Sequence, residues 1–580
     1  MGPSGLSALK FLREQGFDVT CFEQKSGVGG VWTGSEDARY TAALKSTVLG
    51  NSKFGFSMSD FPHLNKDCPI FPSATDLETH FRAYADHYGL HSYIRYNTII
   101  TRIERDDVKE KWILHIRGPD GIAVMPFDKV VAANGIQNKA VMPSCPGIET
   151  FSGLTMHSQA FKFRKEDLKK FQDKRVLLVG LGNTSCDICI ELTGFASKIH
   201  IAHRRGRKLL SRYDENGLPV DLGLSWSIFQ GKNFMDWKLP SFTAWALDNF
   251  MTSNAIASAA KGEPSGSTPA EKKKIAEKRL REEWKLLPAP SLRQVNPVVS
   301  ESLYDSLRSG NVSLVSGFKG FKGDKVVSFE DGTELEVDAV IFCTGYKANW
   351  DLFPDLPMNG SCGVPTSTAS KVGDSHVPNL PRLYQNIFPT QWASSLAFTS
   401  YNHPQDNNPA TQELISMAVA QIWAADAASK LQNQKPAPAG YRPPARLPPV
   451  AEMERAIDEW QTWWRSNWKI APGMLESFLP HYPWYRFLHD AAGTGMFENL
   501  GHFFALDKGW GLWWRDPDMY KWMTKAPSSN VGFRVFETNP LGIPGCGRST
   551  WSGAREALRE IYEGAEDFKA KAKAKTVKQA

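Results

Sequence analysis

The chain has 580 residues, of which 42% are hydrophobic and 22% charged, and its formal net charge at pH 7 is +6. A chain of this length can bury large cores in roughly three or four domain-sized units, and its small charge excess gives no reason to expect a nucleic acid or a membrane as partner. It contains no apolar run long enough for a transmembrane helix. Its 8 cysteines are scattered and follow no secretory signal, which is typical of reduced thiols in a cytoplasmic protein.

The chain opens on a segment that predicts the glycine turn of a nucleotide fold. Gly2, Pro3, Ser4 and Gly5 lead directly into an apolar helix. Glycines at such positions let the backbone approach a pyrophosphate at a helix N-terminus. The buried strand that should come before this turn has no residues in front of Met1, so we expect the first strand and the first glycine of the fold to be absent from the chain as given.

An acidic residue at the end of the next extended run indicates which nucleotide this turn binds. Residues 19–22 have extended character and lead to Glu23, whose carboxylate can accept both ribose hydroxyls of an adenosine and would repel a 2′-phosphate. A second glycine loop at 27–32, which includes Val31 and Trp32, can bring backbone close to a flavin. The sequence therefore predicts an FAD-type site in its first part.

Beyond this loop, the spacing of apolar residues predicts packed elements. Residues 75–90 fit an amphipathic helix, and extended runs predict strands over 99–103, 112–116 and 130–133. In a nucleotide fold of this kind, the last of these strands returns beside the first cofactor.

A second and complete glycine turn begins at residue 176. The apolar run 176–179 is followed by Gly180 and Gly182 and then by helix-forming residues, which is the strand, turn and helix order of a dinucleotide site. Gly180 permits the tight turn, Gly182 lets the backbone approach a pyrophosphate, and Ser185 stands where a third small residue packs helix on strand. One such string is weak evidence, but this one repeats the turn at the beginning of the chain.

The two copies differ at the residue that selects the nucleotide. An offset of 180 residues places Glu23 on His203, which is followed by Arg204 and Arg205. Two guanidiniums in place of an acid suit a 2′-phosphate. We therefore predict an NADPH-type site in the second copy, with a solvated basic turn or a nucleic-acid patch over 204–208 as the alternative.

An insertion and a return strand follow the second turn. The insertion covers 226–285, is aromatic in its first half and ends in a charged helix over 270–285. Its composition fits either the lining of a substrate entrance or contact with a membrane surface. A strand over 335–342 then brings the chain back to the first unit.

The last part of the chain is rich in tryptophan. A helix over 411–431 and a proline-rich linker over 435–450 lead to residues 451–567, which hold ten of the 19 tryptophans. Such density fits an aromatic wall over a cleft, although a core packed with tryptophan is the more frequent outcome. The alternating lysines of 568–580 predict a solvated basic tail.

Together these motifs resemble those of the flavin-containing monooxygenase family, one of the class B flavin-dependent monooxygenases. Glu23 with a GGxW string, an FxGxxxHxxxF string, a DAVIFCTGY string and a WSGAR string occur in the family's order, the four strings at residues 29–32, 151–161, 338–346 and 551–555. The related Baeyer–Villiger enzymes carry Trp near the position of Phe161. Phe161 and Lys162 therefore favour the branch that oxygenates nitrogen and sulfur.

The resemblance implies an α/β fold with two Rossmann-like dinucleotide-binding domains, for FAD and NADPH, the second inserted in the first, and a helical Trp-rich C-terminal region. The expected units are an FAD-binding domain in two parts, a linker motif, an NADPH-binding domain with its insertion, a proline-rich linker, the Trp-rich region and the tail: 1–150 with 336–434, 151–162, 163–335 with 226–285, 435–450, 451–567 and 568–580.

The resemblance also implies the chemistry and the cofactor contacts. NADPH passes hydride to FAD, the reduced flavin takes up O2 as a C4a-hydroperoxide, and the distal oxygen goes to a soft nucleophile, the amine nitrogen or sulfur of a small molecule. The residues expected to hold FAD are Gly2, Pro3, Ser4, Gly5, Glu23, Val31 and Trp32. Those expected to hold NADPH are Gly180, Gly182, Asn183, Thr184, Ser185, Cys186, Asp187, Arg204 and Arg205.

Asn51 and Ser52 are the candidates for the position between nicotinamide and flavin, with Asn51 as the catalytic residue. The stretch 44–62 resembles the family segment that carries an active-site Asn, and Lys53 and the SDFP ending match it. Counting back from these matches places Gly50 at the family's Asn position. Asn51 fills the role only if the loop shifts by one residue, and an ordinary loop Asn is the alternative.

Other interpretations stay open. A Baeyer–Villiger oxygenase acting on a ketone would use the same cofactors, and a flavin disulfide reductase would give Cys186 and Cys189 a redox role in place of packing. A chain without its first strand can also fail to bind FAD and serve as an inactive or partner-binding protein. His157 invites a catalytic interpretation, but the resemblance favours a structural or conformational role in a linker.

Overall fold

The computed structural model describes residues 1–62, 68–162, 165–264, 268–358, 380–403, 408–432, 447–501, 509–536 and 551–579. The elements of the first part are α1 (Pro3–Glu14), β1 (Cys21–Phe22), α2 (Ala74–His87), β2 (Ile94–Arg95), β3 (Ile99–Asp106), β4 (Lys111–Gly118), β5 (Gly121–Phe127), β6 (Val130–Ala132) and β7 (Lys139–Ala140).

The middle part alternates strands and helices. Its elements are β8 (Leu154–His157), α3 (Lys165–Lys169), β9 (Arg175–Val179), α4 (Asn183–Leu192), β10 (Lys198–Ala202), β11 (Leu209–Leu210), α5 (Trp226–Lys238), α6 (Pro240–Ala260), α7 (Pro269–Lys278), β12 (Val298–Val299), α8 (Leu303–Arg308), β13 (Val312–Val315), β14 (Phe318–Phe321), β15 (Val326–Phe329), β16 (Glu334–Glu336), β17 (Ala339–Phe342) and β18 (Tyr346–Lys347).

The last part is mainly helical. Its elements are β19 (Leu383–Tyr384), β20 (Phe388–Pro389), β21 (Leu396–Phe398), α9 (Asn408–Gln432), α10 (Val450–Ile470), α11 (His481–Ala492), α12 (Met496–Leu500), α13 (Gly509–Arg515), α14 (Pro517–Lys525) and α15 (Ala554–Gln579).

The first nucleotide unit is assembled from distant pieces of chain. Strand β1 pairs in parallel with β2, β6 pairs in parallel with β21, and β3, β4 and β5 form an antiparallel meander. Because β6 and β21 come from either side of the middle part, the second unit is inserted in the first, as predicted. In the described part of the chain, the β1–β2 pair and the β6–β21 pair belong to separate sheets.

Helix α1 begins where the first turn ends. Pro3 occupies its first helical position, where the fixed φ of proline suits a helix and the missing N–H is not needed. Leu6, Leu9 and Phe11 are buried, and the helix packs against α9. The predicted helix over 75–90 is confirmed as α2, which starts with a reciprocal capping box between Ser73 and Asp76.

The second nucleotide unit contains a parallel five-stranded sheet in the order β13-β10-β9-β17-β8. Val176 and Leu177 of β9 and Val340 and Ile341 of β17 are fully buried, as is usual for parallel strands covered on both faces. The fold class of two Rossmann-like units is thus confirmed.

The predicted single strand over 335–342 is wrong in one respect, because it is two strands. Residues of β16 pair antiparallel with β15, whereas β17 enters the parallel sheet between β9 and β8. The break falls at Asp338, whose carboxylate accepts hydrogen bonds from the backbone N–H and the Nε of Arg175, both at 3.0 Å. The second sheet therefore extends beyond residue 335, and β8 of the predicted linker 151–162 forms its edge.

The insertion consists of α5, α6 and α7, and α5 packs against α11 and α14 of the Trp-rich region. In that region Trp464 and Trp484 are buried, whereas Trp510 and Trp514 are exposed. The core interpretation thus holds for the first two, and the last two lie at the surface. Among the helices of the described ranges, none is long and apolar enough to cross a membrane.

The predicted tail is not a separate segment, because residues 568–579 continue helix α15. Alternating Ala and Lys are both good helix formers, which explains the continuation. Lys569 and Lys571 pair with Glu566 and Asp567 of the preceding turn. The predicted linker 435–450 lies outside the described residues except at its end, from 447.

Candidate active site

The second glycine turn has the backbone geometry of an anion site. Gly180 has a φ of +109°, and a Cβ there would lie 2.6 Å from the carbonyl oxygen of Cys343, whereas a Cβ at Gly182 would meet open space. The Ser185 hydroxyl accepts from the N–H of Gly182 at 2.9 Å and donates to its carbonyl at 2.8 Å. Ser185 therefore closes the turn, and the first N–H groups of α4, which have no intrahelical acceptors, face the space beyond Gly182.

The other predicted residues of α4 divide into three groups. Thr184 is exposed at the turn, and Asn183 is exposed while its Oδ1 accepts from the N–H of Val299 at 3.1 Å. Cys186 does not fit a nucleotide contact, because its thiol is 2% exposed within the core and its N–H donates to the carbonyl of Gly182. Asp187 points elsewhere, since its Oδ2 accepts from Thr47 Oγ1 of the first unit at 2.8 Å.

Burial also removes the redox interpretation of the CxxC string. Cys186 and Cys189 are both 2% exposed and both are free thiols. Burial raises the pKa of each thiol to about 12. Because the thiolate is the reactive form, neither cysteine is poised for disulfide exchange.

Arg204 and Arg205 lie just beyond the end of β10 and are exposed. The Nε of Arg204 is 3.4 Å from Glu330 Oε1 in a solvent-exposed pair, which holds the guanidinium only weakly. Arg205 has no carboxylate partner within the described ranges. Both guanidiniums are therefore available to an anion at the carboxyl end of the strand, beside the turn.

The first turn is in contact with the second glycine loop. A Cβ at Gly30, where φ is +60°, would lie 2.7 Å from the Cα of Gly2. The N–H of Gly29 also donates to the carbonyl of Met1 at 2.7 Å. Pro3, Ser4 and Gly5 are buried, Trp32 is half-buried and Val31 is 36% exposed. Two glycine-lined backbone segments therefore meet at the start of α1, where a side chain would block their approach.

Glu23 lies at the end of β1 with part of its acceptor capacity in use. Its Oε1 accepts from the N–H of Lys25 at 2.8 Å, and its Oε2 is 2.6 Å from the amino group of Met1. A carboxylate has roughly four acceptor positions, so two are left for ribose hydroxyls. The residues around both turns thus fit a dinucleotide: glycines where backbone must approach, an acid at one strand end and two cations at the other.

The segment with Asn51 lies between the two units. The Asn51 side chain is half-buried and makes no hydrogen bond with the described residues, and Gly50 is exposed. Ser52 is fully buried, and both its N–H and its Oγ donate to Asp221 Oδ2, at 2.7 and 2.8 Å. Arg212 donates to the carbonyls of Leu49 and Val48, at 2.9 and 3.0 Å.

Sequence reasoning missed three of the residues that surround Asn51: Thr47, Arg212 and Asp221. They carry no motif, and their partners are about 140 to 169 residues away in the chain. Their one sequence signal is that Arg212 and Asp221 flank a turn-forming DENG string shortly after the second nucleotide motif. Only the docking of the two units brings Arg212 and Asp221 to the Asn51 segment, and brings Thr47 of that segment to Asp187.

His157 has a structural role, as the resemblance favours. Its Nδ1 accepts from the N–H of Gln159 at 3.0 Å, so its Nε2–H donates to the carbonyl of Gly345 at 3.1 Å. Burial lowers the pKa of the imidazole. The ring is therefore neutral and joins β8 to the turn that follows β17.

The fold and these two turns define a dinucleotide-binding flavoprotein of the two-unit type. The flavin-binding monooxygenase-like family model matches residues 1–359. A protein named Monooxygenase aurF, from Gibberella zeae, is 31% identical over 565 residues, which cover 96% of this chain and 95% of that protein. Dimethylaniline monooxygenase (N-oxide-forming) 4 of Rattus norvegicus is 31% identical over 373 residues, 62% of this chain and 60% of that protein.

Among solved structures, OTEMO in complex with FAD and NADP has a TM-score of 0.56 at 15% identity, with 85% of this chain and 96% of that chain covered. The chain belongs to the flavin-binding monooxygenase-like family. The resemblance drawn from the motifs is thus confirmed, as is the prediction of a flavin cofactor at the level of this family. FAD and NADP are both bound in the OTEMO structure.

Proposed function

We propose that the protein is an FAD- and NADPH-dependent monooxygenase that transfers one oxygen atom of O2 to a soft nucleophile, the amine nitrogen or sulfur of a small molecule. In balance, substrate, O2, NADPH and a proton give oxygenated substrate, NADP+ and water. The observation that carries the proposal is the contrast between Glu23 at the end of β1 and the pair Arg204 and Arg205 at the end of β10, each beside a glycine turn.

The first unit holds FAD. Gly2 and Gly30 let the backbone approach the pyrophosphate and the flavin, and Glu23 orients the adenosine ribose. When bound and reduced, the flavin supplies the activation of O2. No metal or nucleophilic side chain is needed for that step, so the residues of the chain bind, orient and exclude water.

The second unit holds NADPH. The turn from Gly180 to Ser185 and the start of α4 take the pyrophosphate, and Arg204 and Arg205 take the 2′-phosphate. Asn51 stands at the junction of the units, where its amide, both a donor and an acceptor, orients groups between nicotinamide and flavin.

The choice of nitrogen or sulfur over a ketone rests on two supports. The first is Phe161, near whose position the Baeyer–Villiger enzymes carry Trp. Phe161 is buried, and the adjacent Lys162 donates from Nζ to the carbonyl of Tyr40 at 2.8 Å. The rat relative with 31% identity is named for N-oxide formation. These supports favour a substrate with an amine or a thioether.

One experiment tests the proposal. Purified protein, with FAD added, is examined by absorbance for bound flavin and is then supplied with NADPH, ¹⁸O2 and either N,N-dimethylaniline, methyl phenyl sulfide or cyclohexanone. We expect a flavin spectrum and one ¹⁸O atom in the N-oxide or the sulfoxide. Labelled lactone from cyclohexanone alone would establish the Baeyer–Villiger alternative. A colourless protein that takes up no FAD would contradict an oxygenase function for this chain.

A further inference from the structure

The Asn51 segment, residues 47–52, is hydrogen-bonded on both sides of Asn51 to one hairpin of the second unit, residues 212–221. The hairpin is closed by hydrogen bonds from the N–H of Val220 to the carbonyl of Arg212, at 3.0 Å, and from the N–H of Asp214 to the carbonyl of Leu218, at 2.8 Å. Lys261 of the insertion donates to the carbonyls of Tyr213 and Asp214. The two ends of the hairpin, Arg212 and Asp221, are therefore fixed relative to each other.

Each end of the hairpin is hydrogen-bonded to a different part of the segment. Arg212 is directed by Glu301, which accepts from its N–H and its guanidinium, and it uses Nε and a second guanidinium nitrogen for the carbonyls of Leu49 and Val48. Asp221 takes both donors of Ser52 on one oxygen. Between these grips only Gly50 and Asn51 are left without a hydrogen bond to the described chain.

A glycine just after the segment permits its close approach to Asp221. A Cβ at Gly55 would lie 2.7 Å from Asp221 Oδ2, so a larger residue would push the carboxylate away from Ser52. Asp221 is buried, and its Oδ1 has no partner in the described structure. Because a buried carboxyl is costly unless its hydrogen bonds are made, its bonds to Ser52 are what retain it there.

A third contact ties the start of the segment to the NADPH turn. Thr47 donates to Asp187 Oδ2 in the first turns of α4, the helix whose N-terminus faces the pyrophosphate site. The segment from Thr47 to Ser52 is therefore attached to the second unit at three points, although it belongs to the first unit in the chain.

We propose that Arg212 and Asp221 are positioning residues that set the orientation of Asn51 toward the two cofactors, so that reduction and oxygenation stay coupled. This inference rests on the proposed function. Neither residue is expected to touch substrate. Their loss should loosen residues 50–52, although Leu49 and Lys53 keep backbone hydrogen bonds to Pro72 and Ile70, and the oxygen activated at the flavin should then leave as H2O2 instead of reaching the substrate.

The test compares Arg212→Met and Asp221→Ala with the conservative Asp221→Asn, which keeps an acceptor for the Ser52 N–H. The ratio of H2O2 formed to NADPH consumed should rise about tenfold in the first two variants, which is less than the roughly hundredfold effect that a misplacement of about 1 Å can have at a reacting centre. The rate of anaerobic flavin reduction should change less than the ratio does. Asp221→Asn should restore most of the coupling, which a purely structural role would not predict.

A second readout needs no cofactor. In flavin-free protein, amide hydrogen exchange of residues 47–56 should be faster in Arg212→Met and Asp221→Ala than in wild type. Matched controls are Arg102→Met and Asp107→Asn, whose side chains are 52% and 73% exposed in ion pairs with Glu104 and Arg105, and which should change neither readout. If Asp221→Ala does not fold, Ser52→Ala removes one of the two bonds and should give a smaller change in the same direction.

The outcomes separate the two proposals. Unchanged exchange of 47–56 in both variants would overturn the grip by the hairpin. Faster exchange with wild-type coupling would overturn the positioning role. A wild-type protein without flavin chemistry would defeat the proposed function, and the exchange readout would still decide whether Arg212 and Asp221 hold the segment.

Discussion

Glu413 of α9 accepts hydrogen bonds from Ser59 of the first unit, from its N–H at 2.8 Å and from its Oγ at 2.8 Å. Asn530, in the Trp-rich part, donates to the same carboxyl at 2.8 Å. The neighbouring Asp60 pairs with Lys10 of α1 and with Arg534. These six residues, called here the 413 cluster, join the start of the chain to its last part through buried polar contacts.

The 413 cluster predicts a pH-dependent stability. Burial, and then the nearby charge of Asp60, raise the pKa of Glu413 from 4.5 to about 7. A carboxyl whose pKa is raised by folding stabilises the fold fully below its unfolded pKa, and this stabilisation is lost as pH rises through the folded pKa. The free energy of unfolding should therefore fall by about 3 kcal/mol between pH 5 and pH 8 through this group.

Urea unfolding of wild type and Glu413→Gln across this range checks the pH effect. The amide stays neutral, so its stability should vary less with pH than that of wild type. Asp60 is unaffected in this window, because Lys10 and Arg534 outweigh burial and hold its pKa below 3.8. Parallel curves for the two proteins would show that Glu413 is not the titrating group.

We expect a large loss of stability when the guanidinium of Arg534 is removed. Its guanidinium and the carboxylate of Asp60 are each 6% exposed, and removal of one partner of a buried pair costs roughly 3 to 5 kcal/mol. Arg534→Met should stay toward the lower end, because Lys10 still compensates Asp60. As the matched control, Arg555→Met breaks the more exposed pair with Asp516, for which about 1 kcal/mol or less is expected. Equal losses in denaturant unfolding would argue against the buried pair as an anchor.

Arg204 and Arg205 predict nucleotide selectivity. The double variant Arg204→Ala with Arg205→Ala should raise the KM for NADPH by an amount equivalent to ~2 to 4 kcal/mol, from the loss of charge-assisted hydrogen bonds to the 2′-phosphate. The KM for NADH should change little, since NADH lacks that phosphate. Steady-state kinetics with both nucleotides measure this, and equal losses would reject the assignment.

We expect substitution of Cys189 to have no effect on turnover. Its thiol is buried and its pKa is raised to about 12, so Cys189→Ser should leave NADPH oxidation unchanged while the free energy of unfolding falls by about 1 kcal/mol or more for a buried hydroxyl. Cys186 and Cys189 should also react slowly with a thiol reagent in the native state. Loss of turnover in this variant would revive the disulfide-reductase interpretation.

Much of the fold was predictable from local patterns. The helix over 75–90, the strands over 99–103, 112–116 and 130–133, and the second turn are found where their periodicity and glycines place them. The error at 335–342 has a physical cause, because the alternating first piece, β16 (Glu334–Glu336), runs into the apolar second piece, β17, with no glycine or proline between them to mark a break. Only the pairing of Asp338 with Arg175, 163 residues away, shows that the chain changes sheets there.

The sequence alone determined the two nucleotide turns and the contrast between Glu23 and the arginine pair. This was possible because a glycine turn and a strand end need only a few consecutive residues, whose chemistry is legible in order. The tertiary structure decided what surrounds Asn51 and what anchors the last part of the chain. Arg212, Asp221 and Glu413 act on partners more than a hundred residues away, and no local pattern records such a contact. Docking of the two units buries Asp221 against Ser52, packing of α9 between α1 and α11 buries Glu413, and the need to satisfy each carboxyl with hydrogen bonds then fixes the geometry.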